Sequence, residues 1–255
     1  MSSRTPIRTL PKNLSIAIPA SFIDVCSNLA QKTDQIGRIA RAAAINRVSE
    51  LLIFSDVSSR EQGFQRRLIT RILEYLETPQ YLRKHLFGKL PELRRVGVLP
   101  PLRTPHHPTE KRARKLSDGE IREGYAYREE GKLVVDVGVE NPLPLLKLVS
   151  SRIPCRVTVS ITRKTNGMLA AQPATPPTPE IYWGYKVLDI QQSLSDFLNK
   201  PHIYDLVIAT SRKASPIHEM WTELRSCWKG ANRILVLFGS HNKGLKEILK
   251  QDGHQ

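Results

Sequence analysis

Residues 234–250 read "ILVLFGSHNKGLKEILK". An apolar run enters Gly239, small and polar residues follow, and Gly244 opens a segment with apolar residues at helical spacing. A short continuous apolar run is the signature of a strand buried in a parallel sheet, and the loop at its carboxyl end is where such sheets place ligands. Gly239 and Gly244 have the separation of the two glycines in the G-x-x-x-x-G-K-[ST] phosphate loop. Leu245 and Lys246, however, stand where that loop needs its lysine and its magnesium-binding hydroxyl, which excludes nucleotide hydrolysis by this motif. The dinucleotide fingerprint G-x-G-x-x-G is absent as well.

The alternation of strand and helix extends upstream. "YDLVIA" (204–209) reads as a buried strand, and Ser215 and Pro216 take the N-cap and first-turn positions of a helix ending near Gly230. The N-terminal third repeats the theme. "LSIAIP" (14–19) and "LLIFSD" (51–56) are strands; Ile36, Ile39, Ala40, Ala43 and Ala44 mark one helix face, and Phe64, Leu68, Ile72 and Tyr75 another. Ser58 and Glu61 stand at capping-box spacing before that second helix. Between these two regions lie "EIREGYAYRE", "GKLVVDVGV", "LPLLKLV" and "IPCRVTVSITRK", short strands in succession that predict a small antiparallel barrel. "YWGYKVLD" (182–189) is read as the strand that resumes the first pattern. The expected organisation is an α/β domain with a parallel sheet, residues 1–92 and 180–255, interrupted by a β-barrel insert over residues 93–179 with proline-rich joints.

Lys and Arg outnumber Asp and Glu by 39 to 24 in 255 residues, a formal charge of +15. That excess favours a polyanionic partner, RNA above all. It concentrates at the joint, where Arg94, Arg95, Arg103, Lys111, Arg112, Arg114 and Lys115 are candidates for RNA phosphate contacts. Tyr125 and Tyr127 alternate with Ala126 and suit either base stacking or the barrel core. His106 and His107 lack ligands at zinc spacing and are read as ordering the joint or meeting RNA. Trp221 and Trp228, seven apart, point to core or dimer packing. Cys26, Cys155 and Cys227 form no metal or disulfide pattern and are read as buried thiols. No apolar run reaches bilayer length and "MSSRTPIRTL" lacks the apolar core of a secretion signal, so a cytoplasmic protein is expected.

A second loop, "ATSRKASP" (209–216), leaves the strand before 234–238. The two loops offer backbone amides, hydroxyls and little acid, which suits an adenosine-like ligand, or else nothing more than turn and helix-entry glycines. Five stretches, "ETPQYLRK" (77–84), "GVLPPLRTPHHP" (97–108), "YWGYKVLD" (182–189), "VIATSRKASPI" (207–217) and "LFGSHNKGLKEI" (237–248), occur in order. Together they resemble the SPOUT-superfamily RNA methyltransferases of the archaeal and eukaryotic group that carries an OB-like insert in a knotted α/β domain. The resemblance implies methyl transfer from S-adenosylmethionine to rRNA or tRNA, a homodimer, and cofactor contacts from Thr210, Ser211, Gly239, Ser240, Gly244 and Leu245. It places Arg212 beside those loops as a candidate catalytic or phosphate-steadying residue. In the resembled family an Asn-Thr-x-Pro-x-Gln loop and an Arg-Thr-Glu-Glu-Ala helix follow the last stretch and complete knot, pocket and dimer. The expectation here is a chain without that segment, either an enzyme with part of its pocket or a non-catalytic RNA-binding protein.

Overall fold

The computed structural model describes residues 13–57, 62–147, 152–165, 167–178, 180–201 and 203–252. In chain order the first half holds β1 (Asn13–Pro19), α1 (Leu29–Ile45), β2 (Glu50–Phe54), α2 (Gly63–Glu77), α3 (Gln80–Leu86), β3 (Ile121–Glu129) and β4 (Lys132–Asp136). The second holds β5 (Leu143–Pro144), β6 (Cys155–Arg163), β7 (Leu169–Pro173), β8 (Lys186–Asp189), α4 (Leu194–Leu198), β9 (Leu206–Ala209), α5 (Trp221–Gly230), β10 (Arg233–Leu237) and α6 (Leu245–Gln251). These elements form two compact units, Met1–Leu73 with Tyr185–Gln255, and Glu74–Gly184.

The first unit is built on a five-stranded parallel sheet in the order β8-β2-β1-β10-β9. Parallel strands must be covered on both faces, and β2 shows the consequence, since Leu51 to Phe54 are all fully buried. On one face Ala17, Leu52, Phe54, Leu235 and Leu237 pack with Leu194 of α4 and Leu245 and Ile248 of α6. Ile36, Ala40 and Ala43 of α1 and Leu68, Ile69 and Ile72 of α2 form the buried stripes of two further helices. Asn28 caps α1 by accepting from the Gln31 amide at 3.0 Å, and Ser193 caps α4 in the same way from Asp196. The Ser58 and Glu61 capping box lies outside the described residues.

Two expectations for this unit are corrected. β9 is half exposed rather than buried, because it is the edge strand and α5, which follows it, buries none of its residues. The helix after Pro216 starts five residues later than its proline suggests, at Trp221. Glu219 N–H closes a tight turn on the Pro216 carbonyl at 3.0 Å, and the helical ladder begins only with Leu224 N–H on Met220 O. Trp221 is therefore 53% exposed and not a core residue.

The second unit is a five-stranded antiparallel sheet in the order β5-β4-β3-β6-β7. A parallel bridge from Leu145, just past β5, to Ala171 of β7 nearly closes it into a barrel. Val135, Val137, Val157, Val159, Ile161 and Ala171 fill its interior. Among the described residues the strand read in "LPLLKLV" covers Leu143–Pro144 alone, and Leu145 and Leu146 then turn their amides to Leu133 O and Ala171 O. The strand read in "YWGYKVLD" starts only at Lys186, because Gly184 has φ +89 and breaks the extended run. Among the cysteines only Cys26 is buried; Cys155 is half-buried and Cys227 exposed.

Candidate functional site

The carboxyl ends of β9 and β10 lie side by side in the first unit, with Ala209 paired to Leu237. Thr210 carries that pairing one residue further: its amide (3.0 Å) and its hydroxyl (2.9 Å) both donate to Leu237 O. Beyond it Ser211 Oγ accepts from the Lys213 amide at 3.1 Å, which curls the loop and leaves Ser211 and Arg212 exposed. On the neighbouring strand end, Ser240 and Lys243 close their loop on each other. Ser240 N–H donates to Lys243 O (2.9 Å) and Ser240 Oγ accepts from Lys243 N–H (3.0 Å). Gly239 lies against this loop so closely that a Cβ would sit 3.1 Å from Lys243 O and 3.3 Å from Leu245 N. Gly244 N–H donates to Glu247 Oε2 at 3.2 Å, so the one carboxylate in the loop's helix is turned onto its own backbone. Leu245 is buried in the sheet core and offers the loop its backbone, not its side chain. The structure thus draws Thr210, Gly239, Ser240, Gly244 and Leu245 into one double loop, with Ser211 and Arg212 on its exposed flank.

The second unit holds a denser polar cluster that pattern reading missed. Glu77, the last residue of α2, receives two hydrogen bonds from the Arg156 guanidinium, at 2.6 and 3.0 Å. Arg156 Nε donates at 2.7 Å to Glu123, whose carboxylate also accepts from Thr158 Oγ1 and from the Trp183 indole, each at 2.7 Å. Nε2 of His106 and of His107 both donate to the backbone carbonyl of Glu77, and His106 Nε2 stands 3.1 Å from its carboxylate. Arg83 donates to the flanking carbonyls, Nε to Thr78 O at 2.9 Å and Nη2 to Leu76 O at 3.3 Å. Gly184 closes the cluster. A Cβ there would meet Glu77 Oε1 at 2.6 Å and His106 Cε1 at 2.7 Å.

Burial by itself would raise the Glu77 pKa, yet hydrogen bonds from His106 and Arg156 and the Arg156 charge outweigh it and lower it to about 2. Glu123 is lowered too: burial opposes it, and the Arg156 charge and the Trp183 indole prevail. His107 moves to about 4 because burial, and then the neighbouring His106, disfavour its cation.

Three of the five ordered stretches noted in the sequence meet in this cluster, Glu77 from the first, His106 and His107 from the second, Trp183 and Gly184 from the third. The other two form the double loop. The profile of the family described as "Putative RNA methyltransferase" matches residues 13–255. The chain belongs to this family. It is 31% identical to a Drosophila melanogaster protein named 28S rRNA (uridine-N(3))-methyltransferase, over 95% of this chain and 54% of that protein. Proteins of the same name from Mus musculus (31% identical, 81% of this chain, 58% of that protein) and Homo sapiens (30%, 82% and 61%) are similar to it as well. The chain therefore spans little more than half the length of these curated relatives.

Within this family member the basic candidates Arg94, Arg95, Arg103, Lys111, Arg112, Arg114 and Lys115 all belong to the second unit and are all exposed. Lys115 is paired with Glu110 at 3.2 Å, and Glu110 also accepts from the amides of Lys111 and Arg112, which fixes the backbone of that stretch. Tyr125 and Tyr127 are half-buried on one side of β3, with His85 stacked on Tyr125 at 4.6 Å. They belong to neither the core nor the open surface. His106 and His107 order the joint through Glu77, and among the described residues no group of three potential ligands could hold a metal ion. No helix among those residues is long and apolar enough to cross a membrane.

Replacing Glu77 by Gln leaves Arg156 and both histidines around a neutral amide. The expected cost is about 3 kcal/mol, typical of removing one partner from a buried pair, read by urea unfolding of the whole chain. Acid acts in the same direction. Glu77 and His107 both bind protons more readily in the unfolded chain, whose ordinary values are 4.5 and 6.5. The His107 contribution is complete above 6.5 and lost toward about 4, and that of Glu77 is complete above 4.5 and lost toward about 2. Melting temperature should fall in two stages on acidification, and in the Glu77→Gln variant the lower stage should shrink to the share that Glu123 leaves.

Proposed function

We infer that this chain is an S-adenosylmethionine-dependent RNA methyltransferase whose target is a uridine of ribosomal RNA, at N3. One observation carries the reading: in a chain of this family, the Thr210 and Gly239 loops meet at the carboxyl ends of adjacent parallel strands. Ligands of open α/β sheets bind at such ends. The names of the fly, mouse and human relatives support the base and the atom.

The residues fit the donor. Gly239 lets the 240–244 loop pack close on the strand end, where a Cβ would crowd Lys243 O and Leu245 N, and Thr210, Ser211 and Ser240 line the loops with hydroxyls and no acid. Thr210, Ser211, Gly239, Ser240, Gly244 and Leu245 would hold it, largely through backbone groups. Bound there, S-adenosylmethionine supplies an electrophilic methyl group on a sulfonium. What the chain's own residues contribute is position and the exclusion of water. Arg212, exposed on the flank, would hold a substrate phosphate, and the basic residues from Arg94 to Lys115 would neutralise others without reading sequence.

The same reading takes the parallel-sheet unit as SPOUT-type and the nearly closed antiparallel sheet as its OB-like insert. It assigns a homodimer to the face formed by α5 and the turn before it, where Ile217, Met220 and Trp221 are all exposed. Three cysteines without a disulfide agree with a reducing cytoplasmic setting.

Calorimetric titration with S-adenosylhomocysteine tests the pocket. Binding is expected for the wild-type chain and lost in Gly239→Trp, whose indole displaces the 240–244 loop; a wild-type chain that binds neither S-adenosylhomocysteine nor S-adenosylmethionine would overturn the reading. Transfer of labelled methyl to a ribosomal RNA fragment, with the product nucleoside identified by mass spectrometry, tests the atom. For the dimer, Trp221→Glu should shift the sedimentation coefficient to that of a monomer.

A further inference from the structure

The second unit contains a groove of about 850 Å3 that shares only Arg94 with these assignments. Four cations line it, Arg83, Lys84, Lys89 and Arg94, and not one acidic side chain. Tyr75 and Phe87 form part of its wall, edge to face with ring centres 5.4 Å apart. The local sequence explains the arrangement. Arg83 and Lys84 stand on one side of α3, and Phe87 is the extended residue that ends it. The other side is tied to the barrel. Tyr81 donates to Glu123 O at 2.7 Å, and His85 is hydrogen-bonded to Asp136 at 2.9 Å while stacking on Tyr125. Arg83 is not a loose surface charge, because its guanidinium lies 4.5 Å over the Tyr75 ring and is bonded to two backbone carbonyls. Lys89 and Arg94, in contrast, are exposed on the turns after α3.

Fixed positive charge beside aromatic edges is the chemistry that takes a phosphodiester on one side and a base on the other. The volume falls in the range of small-ligand pockets, roughly 300–1,000 Å3, the scale of a few unpaired nucleotides. We propose that this groove seats an unpaired stretch of the RNA substrate, with Arg83, Lys84, Lys89 and Arg94 along its phosphates and Tyr75 and Phe87 against a base. The assignment rests on the RNA methyltransferase reading and adds to it where, and in what form, the RNA is held.

The test uses the full chain and a short fluorescent RNA oligonucleotide without secondary structure. Fluorescence anisotropy over a salt series is expected to show K89E/R94E binding about tenfold or more weakly, with the salt slope lowered by about 0.7 for each phosphate no longer neutralised. Binding of S-adenosylhomocysteine should not change, which also certifies the variant's fold. Independently of any variant, a 4-thiouridine oligonucleotide photocrosslinked to the wild-type chain should attach within residues 75–99. Unchanged RNA affinity in K89E/R94E, with crosslinks elsewhere, would overturn the groove and leave the methyltransferase reading standing. Equal competition by a duplex would overturn the unpaired form, and displacement by a polyglutamate peptide would give the groove to an acidic protein segment instead. A wild-type chain without RNA affinity at low salt would sink the underlying function itself.

Discussion

The second unit depends on one carboxylate. Glu77 gathers Arg156 from β6, the two histidines of a proline-rich loop and, through Glu123, the Trp183 indole. Taking such charges out of water is costly, and only a fully bonded arrangement offsets it. Here the offset is visible in the lowered pKa of Glu77, which burial alone would have raised. A segment such as 97–108, with four prolines and no periodic structure, has few backbone amides with which to hold itself. It is held by side chains instead. Nonlocal hydrogen bonds do for this loop what a strand ladder does for the barrel beside it.

The first unit solves a different problem with apolar contacts. A parallel sheet delivers all its carboxyl ends to one edge, and the register of β10 with both β1 and β9 brings Ala17, Leu237 and Ala209 level there. Leu237 and Leu245 bracket the Gly239 loop and are both sunk in the same core. The loop is therefore short-tethered at each end, and its polar groups are spent first on shaping itself. What it can offer a ligand is backbone groups and a few hydroxyls rather than acidic charge.

Much of this was legible in the sequence and some of it could not be. β2 and β10 followed from uninterrupted apolar runs, β1 from a run broken only by Ser15, and the face of α1 from its period. β9 showed the same kind of run but lies at an edge, and a run of apolar residues does not say how many neighbours a strand has. The start of α5 was misplaced because a proline that could open a helix closed a turn first. The Glu77 cluster was invisible to periodicity: its pairings span 29 to 79 residues, and a charged residue such as Arg156, alternating with buried valines, reads as a solvent-facing strand position. The ordered motif stretches did contain Glu77, His106, His107 and Trp183, though only the folded chain shows that these residues meet. Lys84 and Lys89 were passed over because nothing in their spacing sets them apart from any solvated helix end.

The end of α2 has one more property. The carbonyls of Leu76, Glu77 and Thr78, which a helix terminus would ordinarily leave to water, are taken by Arg83, His106 and His107. Each added or removed residue turns a helix by about 100°, so these acceptors stay aimed at their donors in only one rotational phase. Length variation is thus foreclosed in the last turn of α2. Drift among relatives of this chain should be absorbed by substitution there, and by insertion only in segments whose backbone no distant side chain has claimed.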